Sequence, residues 1–304
     1  MGAYLVNGVI LTLIGVSQIL AYRAARRGLE QKLGRLWARL AVVLLTALMV
    51  GAFVVVWFDN IGRPAPAHAI SFAAGIWMAG CAGAALMFLL GCAFRRDSAA
   101  AEDPPLSGRR QFLRGMAQAA ALAPFGVAAY GTLLARRQFE LREIDFPCPR
   151  LPAELEGVRL ALITDIHFGP YLSLPELERV IAMANETRPH LALVTGDLIT
   201  GTDDPLDTCL SRLAGLRAEA GTVGCLGNHE IYAQCEDHTA SRGRELGIEF
   251  LRRQARVVEF GGARLNVVGF DYQSQRKPYL LGAGELVAPG AVNLLLSHNP
   301  DVFP

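Results

Sequence analysis

The chain has 304 residues, of which 52% are hydrophobic, and its formal net charge is +1. This hydrophobic share is too high for a single soluble domain and indicates membrane segments in part of the chain. The six cysteines show no C-x-x-C spacing, which argues against a zinc site built from cysteines. The net charge points to no class of partner, and no nucleic-acid partner is expected.

Four apolar stretches approach the length of about 20 residues that a membrane-spanning helix needs. They are residues 3–22, 40–58, 69–94 and 115–134. The fourth is the least apolar, and a buried or interfacial helix is the alternative for it. The sequence therefore predicts a membrane domain of about four transmembrane helices at 1–136, followed by a second domain at 137–304.

Arginines and lysines are concentrated in the loops that follow 3–22 and 69–94. Basic loops remain on the cytoplasmic side of a membrane. A fourth crossing then predicts a multi-pass protein of the bacterial inner (cytoplasmic) membrane with its second domain on the outer, periplasmic side. The Arg109-Arg110 pair, which precedes a weakly apolar stretch, resembles a twin-arginine export signal, and an ordinary basic cluster fits it equally well.

Buried strands alternate with helices in the first part of the second domain, which predicts a parallel sheet. The predicted strands are 160–164, 191–195 and 222–226, and the predicted helices are 173–186 and 206–216. Alternation of apolar and charged residues also predicts a half-solvated strand at 139–146. Strand-like segments at 257–260, 264–270 and 292–297 predict a second sheet packed on the first.

Side chains of the kinds that bind metal ions follow the predicted buried strands. They are Asp165, His167, Asp197, Asn228, His229 and His298. Because the carboxyl ends of parallel strands line one edge of a sheet, these side chains can converge. Their oxygen and nitrogen donors favour manganese, iron, zinc or magnesium. A carboxylate such as Asp197 can bridge two ions about 3.5–4 Å apart, an arrangement that activates water for displacement at phosphorus.

Four sequence blocks resemble the successive signatures of the calcineurin-like metallophosphoesterases, and in particular of their membrane-anchored bacterial branch. They are Asp165-Ile-His167, Gly196-Asp197, Gly227-Asn-His-Glu230 and Ser297-His298. The resemblance implies a four-layer α/β/β/α sandwich, incomplete at its C-terminal end in these 304 residues, and two divalent metal ions, with manganese favoured. It also implies hydrolysis of a phosphomonoester, phosphodiester or pyrophosphate bond by a metal-activated water. With a membrane domain attached, the phosphate-ester substrate can be lipid-linked.

The resemblance also implies a role for each candidate residue. Asp165 and His167 would bind one metal ion, and Asp197 would bridge both ions. Asn228 and His298 would bind the second ion. His229 would lie beside the phosphoryl group as an electrostatic stabiliser or as a general acid toward the leaving oxygen.

One family signature, a Gly-His-x-His block after the Ser-His pair, does not appear in the 304 residues. We therefore expect either a truncated fragment of a longer protein, which the abrupt ending favours, or an impaired enzyme. The alternative function is a phosphoesterase-like membrane protein that acts in binding or assembly. A transporter-like membrane half is a weaker alternative, because the first three apolar stretches lack charged residues in their interiors.

Several other polar residues are candidates for less specific roles. Arg252, Arg253 and Arg256 form a basic cluster that can meet a phosphate or an anionic lipid, although a solvated surface is the more usual role of such clusters. His190 is expected at the surface. Asp271 ends a predicted strand, and a role in a turn is favoured for it over a position facing the predicted metal site.

Overall fold

The computed structural model describes residues 108–302, except 170–171 and 274–278, together with residues 75–84 and scattered positions between 12 and 73. The chain divides into two compact units, Met1–Gln138 and Phe139–Pro304. The predicted membrane spans at 3–22, 40–58 and 69–94 fall mainly outside the described residues.

In the first unit, the helix Gly108–Leu133 contacts the helical residues 75–84. Two glycines allow this close approach. A Cβ atom on Gly80 would lie 2.2 Å from the ring of Phe125, and one on Gly83 would lie 2.5 Å from Pro124. Among the residues that the structure describes, no helix has both the length and the apolar character needed to cross a membrane. The prediction that 115–134 crosses a membrane is thus not confirmed.

The second unit contains a parallel sheet of four strands in the order β1-β2-β3-β4. The strands are β1 (Leu160–Ile163), β2 (Leu191–Val194), β3 (Thr222–Gly224) and β4 (Ile248–Phe250). All four residues of β2 are buried, as a strand covered on both faces requires. The parallel sheet that alternating strands and helices predict is confirmed.

Four helices accompany this sheet: α1 (Leu174–Glu186), α2 (Leu206–Leu213), α3 (Asn228–Tyr232) and α4 (Glu236–Glu245). The helix α1 begins with a capping box, in which Glu176 accepts hydrogen bonds from the backbone N–H and the hydroxyl of Ser173. Leu177 of α1 and Leu210 of α2 are fully buried in the core that these helices form with β2 and β4. The helices thus cover one face of the parallel sheet.

A second sheet covers the other face of the first. Its strands are β5 (Gln254–Phe260), β6 (Ala263–Phe270) and β7 (Val292–Ser297). The strand β6 pairs with β5 antiparallel and with β7 parallel. Leu193 and Val223 of the first sheet pack with Val267 and Leu296 of the second in a separate core. This sheet-on-sheet packing confirms the predicted second sheet.

The structure corrects one expectation. Residues 139–146 form no strand, because no described strand pairs with them, and Ile144 and Phe146 remain 82% and 86% exposed. Of the four layers that the resemblance implies, the described residues up to Val302 supply three, which are helices, sheet and sheet, because no α-helix follows β4 among them.

Candidate metal centre

Three candidate ligands adopt a backbone conformation that side-chain-bearing residues rarely adopt. Asp165, His167 and Asp197 have φ values of 51°, 46° and 52°, in the left-handed region. Each such residue costs about 1–3 kcal/mol, and such residues cluster at functional sites. The left-handed conformation of these residues turns the chain sharply after β1 and β2, and the three side chains lie at one edge of the sheet.

Backbone hydrogen bonds hold the two strained loops against each other. The N–H of Asp165 donates to the carbonyl of Gly196 (3.2 Å), and the N–H of His167 donates to the carbonyl of Asp197 (2.9 Å). The N–H of Phe168 donates to the carbonyl of Leu198 (2.8 Å). The loop after β1 therefore continues the parallel pairing of the strands, which fixes Asp165 and His167 relative to Asp197.

Two glycines allow the loops after β2 and β3 to meet. Gly196 has a φ of 90°, and a Cβ atom there would lie 2.1 Å from the backbone nitrogen of Gly227. A Cβ atom on Gly227 would lie 2.1 Å from Oδ1 of Asp197. Both positions thus require glycine, because any side chain would push Asp197 away from the residues that follow β3.

The buried side chain of Glu230 joins the same two loops. Its Oε2 accepts hydrogen bonds from the N–H groups of Asp197 (2.9 Å) and Gly227 (2.8 Å), and its Oε1 accepts one from Leu198 (2.7 Å). The residue is 0% exposed. Three backbone donors thus converge on one carboxylate, which places the first turn of α3 directly behind Asp197.

The carboxylate of Asp197 lies at the centre of the candidate ligands. Its Oδ2 is 3.2 Å from Nε2 of His298, 3.7 Å from Nε2 of His167 and 3.9 Å from Nε2 of His229. Two atoms that each bind one ion at about 2.1 Å lie about 3–4 Å apart, so these separations suit shared cations. Asp197 itself is only 3% exposed.

Two of the imidazoles are oriented by backbone carbonyls. Nδ1 of His229 donates to the carbonyl of Thr200 (2.6 Å), and Nδ1 of His298 donates to the carbonyl of Thr195 (2.8 Å). A carbonyl oxygen can only accept, so Nδ1 carries the proton and a neutral ring presents the lone pair of Nε2 to Asp197. This is the arrangement in which metal-binding histidines are held.

The electrostatics of the centre follow from these contacts. Burial alone would raise the pKa of Asp197, but the hydrogen bonds from His298 and from the backbone N–H of His229 outweigh it, so this pKa is lowered. The hydrogen bond to Asp197 raises the pKa of His298 to about 9. In the metal-free chain, a proton on His298 thus supplies the positive charge that the carboxylate attracts.

The donor set fits divalent cations in two groups that share Asp197. His167, Asp197 and His229 form one group, and Asp165, Asp197 and His298 form the other, with all ligand atoms of a group within 4.8 Å of one another. The resemblance had paired His167 with Asp165 and had kept His229 apart from the ions, so the grouping differs from that expectation. Asn228, the remaining predicted ligand, is half-buried at the first position of α3.

Sequence reasoning missed the role of Glu230. The signal that could have revealed it is its position three residues after Gly227, because a glutamate there commonly accepts backbone hydrogen bonds at a helix start. Two aromatic residues beside the site were also missed. The ring of Tyr232 lies 6.1 Å from that of His229, and the ring of Tyr272 lies 6.3 Å from that of His298.

Two other histidines lie outside the metal groups. Nδ1 of His190 accepts a hydrogen bond from the backbone N–H of Arg159 (2.9 Å), and its ring contacts that of Phe260. His238 pairs with Asp207 at 2.8 Å in an exposed position on α4. Both have structural partners of their own.

The fold and the site together define a class of protein: an α/β sandwich with a candidate site for two divalent cations at the carboxyl edge of a parallel sheet. Residues 158–299 match the model of the family described as calcineurin-like phosphoesterase. The domain formed by these residues therefore belongs to the calcineurin-like metallophosphoesterase family.

Several curated proteins are similar to the chain. A Danio rerio protein named "Transmembrane protein with metallophosphoesterase domain" is 28% identical, over 71% of this chain and 49% of that protein. The "Uncharacterized metallophosphoesterase YkuE" of Bacillus subtilis is 26% identical, over 64% of this chain and 70% of that protein. "Phosphodiesterase YaeI" of Escherichia coli is 28% identical, over 47% of this chain and 53% of that protein. The chain thus spans about half the length of the Danio rerio relative.

The role of Glu230 predicts a loss of stability in Glu230→Gln. The amide nitrogen cannot accept, so at least one buried backbone N–H loses its partner, and the free energy of unfolding should fall by about 3 kcal/mol. The three tryptophans all precede residue 108, so urea-dependent labelling of the buried thiol of Cys225 reports on the second unit. Glu259→Gln, at an exposed position of β5, is the control, and equal stability of the two variants would contradict the assigned role.

The shifted pKa values predict how the stability of the chelated, metal-free chain depends on pH. The raised pKa of His298 stabilises the fold fully below about 6.5, and this contribution is lost as the pH rises through about 9. The lowered pKa of Asp197 stabilises the fold above about 3.8, and this contribution is lost as the pH falls through the folded value.

Melting curves followed by circular dichroism in EDTA should therefore show a decline between about pH 6.5 and about 9 that is absent in His298→Ala. His238→Ala, which removes an exposed imidazole, should keep the decline. The same decline in both variants would refute the His298–Asp197 origin of this pH dependence.

Proposed function

We propose that the chain is a metal-dependent phosphoesterase that uses two divalent cations. The observation that supports this most directly is the position of Asp197 Oδ2, which is within 3.9 Å of three imidazole nitrogens and belongs to both candidate metal groups. One carboxylate shared by two groups is the arrangement that bridges a pair of ions. The oxygen and nitrogen donors suit manganese, iron, zinc or magnesium, and among these we favour manganese, as the family resemblance implies.

The side chains of the centre have separate tasks in this proposal. When bound, the two cations would polarise the phosphoryl oxygens and lower the pKa of the attacking water. The strained loops and the buried Glu230 hold Asp165, His167 and Asp197 in place before substrate binds, so little reorganisation is needed. His229 is 27% exposed at its side chain, and in this proposal its Nε2 faces the phosphoryl group and does not ligate a cation. With Nδ1 held by the carbonyl of Thr200, a proton on Nε2 would be donated to the leaving oxygen.

We propose a phosphodiester as the first bond to test, ahead of a phosphomonoester or a pyrophosphate. The Escherichia coli relative is named a phosphodiesterase, and the half-exposed Asp165–His167 side of the centre leaves access for a substrate. The non-catalytic alternative is not favoured, because a protein that only binds or assembles has no need for three strained residues aimed at one point.

Asp197→Asn tests the proposal. The amide removes the negative charge that both cations share, so hydrolysis of bis(p-nitrophenyl) phosphate by the full chain with Mn²⁺ should fall at least about a hundredfold. Mn²⁺ binding, followed by calorimetry, should weaken in parallel. Asp207→Asn changes an exposed aspartate at the start of α2 and should leave both properties intact. Undiminished activity of Asp197→Asn would overturn the proposed two-metal site.

We also propose that the chain is attached to the cytoplasmic membrane with its phosphoesterase domain on the outer side. The four apolar stretches and the distribution of basic residues support this, and the name of the Danio rerio relative, a transmembrane protein, supports the attachment. The substrate would then lie at or near the outer surface of the membrane, where a lipid-linked phosphate ester is accessible.

Labelling of Cys148 tests the location. This thiol is exposed, whereas those of Cys81, Cys209 and Cys225 are buried. The chain should remain in the membrane fraction after an alkaline carbonate wash. Cys235 is half-buried, so in intact spheroplasts a membrane-impermeant maleimide should label the chain strongly and its Cys148→Ser variant much less. Labelling that requires permeabilised cells would place the domain inside, and release by carbonate would exclude an integral membrane protein.

A further inference from the structure

A cleft of about 660 Å³ lies between α4, the β4–β5 connection and the residues that follow β6. Three arginines line it: Arg244 from the last turn of α4, and Arg252 and Arg253 from the connection. Two aspartates, Asp237 and Asp271, line it as well. The described residues that line the cleft therefore carry an excess of one positive charge.

The charges in the cleft are not equivalent. Arg252 donates to Oδ2 of Asp271 (2.7 Å) and also pairs with Asp237, so this arginine is neutralised and held by both aspartates. The side chains of Arg244 and Arg253 are exposed, and neither guanidinium group forms a hydrogen bond or an ion pair with any residue in the described part of the chain. These two guanidinium groups are thus available to a ligand.

The guanidinium of Arg253 rests against a glycine. Gly282 has a φ of 78°, and a Cβ atom there would lie 2.4 Å from Nη2 of Arg253. The missing side chain at this position lets the guanidinium lie close to the backbone. Arg256, the third member of the basic cluster in the sequence, is instead held elsewhere by the carbonyl of Ala220 and by Glu249.

The cleft adjoins the candidate metal centre through Tyr272. This residue lines the cleft, and its backbone N–H donates to the carbonyl of Leu226 (2.8 Å), which follows β3. Its ring lies 6.3 Å from that of His298 and 6.4 Å from that of Tyr232. A substrate whose phosphoester reaches the centre can therefore extend past Tyr272 into the cleft.

We infer that this cleft binds a second phosphate group of the substrate, beyond the phosphoester that is cleaved, through Arg244 and Arg253. Guanidinium groups match the charge and the hydrogen-bond geometry of phosphate. The inference rests on the proposed function and narrows its substrate class to phosphoesters that bear a second phosphate. Arg252 offsets the charge of only one of the two aspartates, so the charge that attracts that phosphate comes from Arg244 and Arg253.

A binding experiment tests the cleft independently of hydrolysis. Inorganic pyrophosphate is titrated into the full chain in EDTA, so that no cation contributes. The wild-type chain should bind the probe, and Arg244→Gln and Arg253→Gln should each weaken binding about three- to tenfold. Arg264→Gln, which changes an exposed arginine of β6 outside the cleft, is the matched control. Equal binding by all four proteins would overturn the inference.

A kinetic experiment compares two substrates that differ only in a second phosphate. They are the 4-nitrophenyl ester of thymidine 5′-phosphate and the same ester with an added 3′-phosphate. The added phosphate should lower the KM of the wild-type chain and of Arg264→Gln about three- to tenfold. This advantage should disappear in Arg244→Gln and Arg253→Gln with kcat unchanged. An equal KM for the two esters in the wild-type chain would overturn the inference, whereas no hydrolysis of either ester would refute the proposed function.

The second phosphate can belong to a soluble molecule or to a lipid. Glycerol 3-phosphate and phosphatidylcholine vesicles with added phosphatidic acid distinguish these sources as inhibitors of ester hydrolysis. Inhibition by the soluble phosphate, or by the acidic vesicles alone, supports the cleft if it weakens in Arg253→Gln. Inhibition that is equally strong in Arg253→Gln counts against it.

Discussion

The candidate metal centre depends on one buried carboxylate. Glu230 accepts hydrogen bonds from the backbone of the loop after β2, at Asp197 and Leu198, and from the backbone of the loop after β3, at Gly227. A buried carboxylate is stable only when its oxygens are satisfied, and three N–H donors meet this need. The same three bonds make the position of Asp197 a consequence of where α3 begins, so Asp197 and the helix cannot shift independently.

This coupling explains how the fold tolerates strain at its ligands. Left-handed conformations at Asp165, His167 and Asp197 cost a few kcal/mol together and persist only where the surroundings determine them fully. Here the backbone of the loop after β1 is hydrogen-bonded to that after β2, and the loop after β2 is bonded to Glu230. The close contact of Gly196 with Gly227 also holds the loop after β2 against the loop after β3.

Much of this arrangement could be predicted from the sequence, because local patterns determine it. Short apolar runs that end in a polar residue place Asp165 and Asp197 at strand ends, and alternation with helices makes the strands parallel, so the edge on which the ligands meet follows from topology. The strand β4 was missed because its three residues, Ile248–Phe250, include a charged glutamate and lack the uncharged run that predicted the equally short β3.

The rest could not be predicted because it depends on contacts between distant segments. The alternation of apolar and charged residues at 139–146 indicates an extended chain, but it does not indicate whether another strand pairs with that chain. None does among the described residues. The grouping of His167 with His229 depends on how two loops more than 60 residues apart turn, and their rings meet edge to face at 4.7 Å. No single-sequence pattern encodes that distance.

The orientation of the imidazoles has a consequence for the way cations bind. Because backbone carbonyls fix the protons of His229 and His298 on Nδ1, each Nε2 is directed toward Asp197 whether or not a cation is present. The metal-free centre is therefore preorganised, and the hydrogen bond to Asp197, which raises the pKa of His298 to about 9, keeps a proton on Nε2 of His298 between the two side chains. Cation binding must release this proton, so affinity rises with pH until His298 is neutral without it. The carboxylate of Asp197, with its lowered pKa, attracts a cation throughout that range.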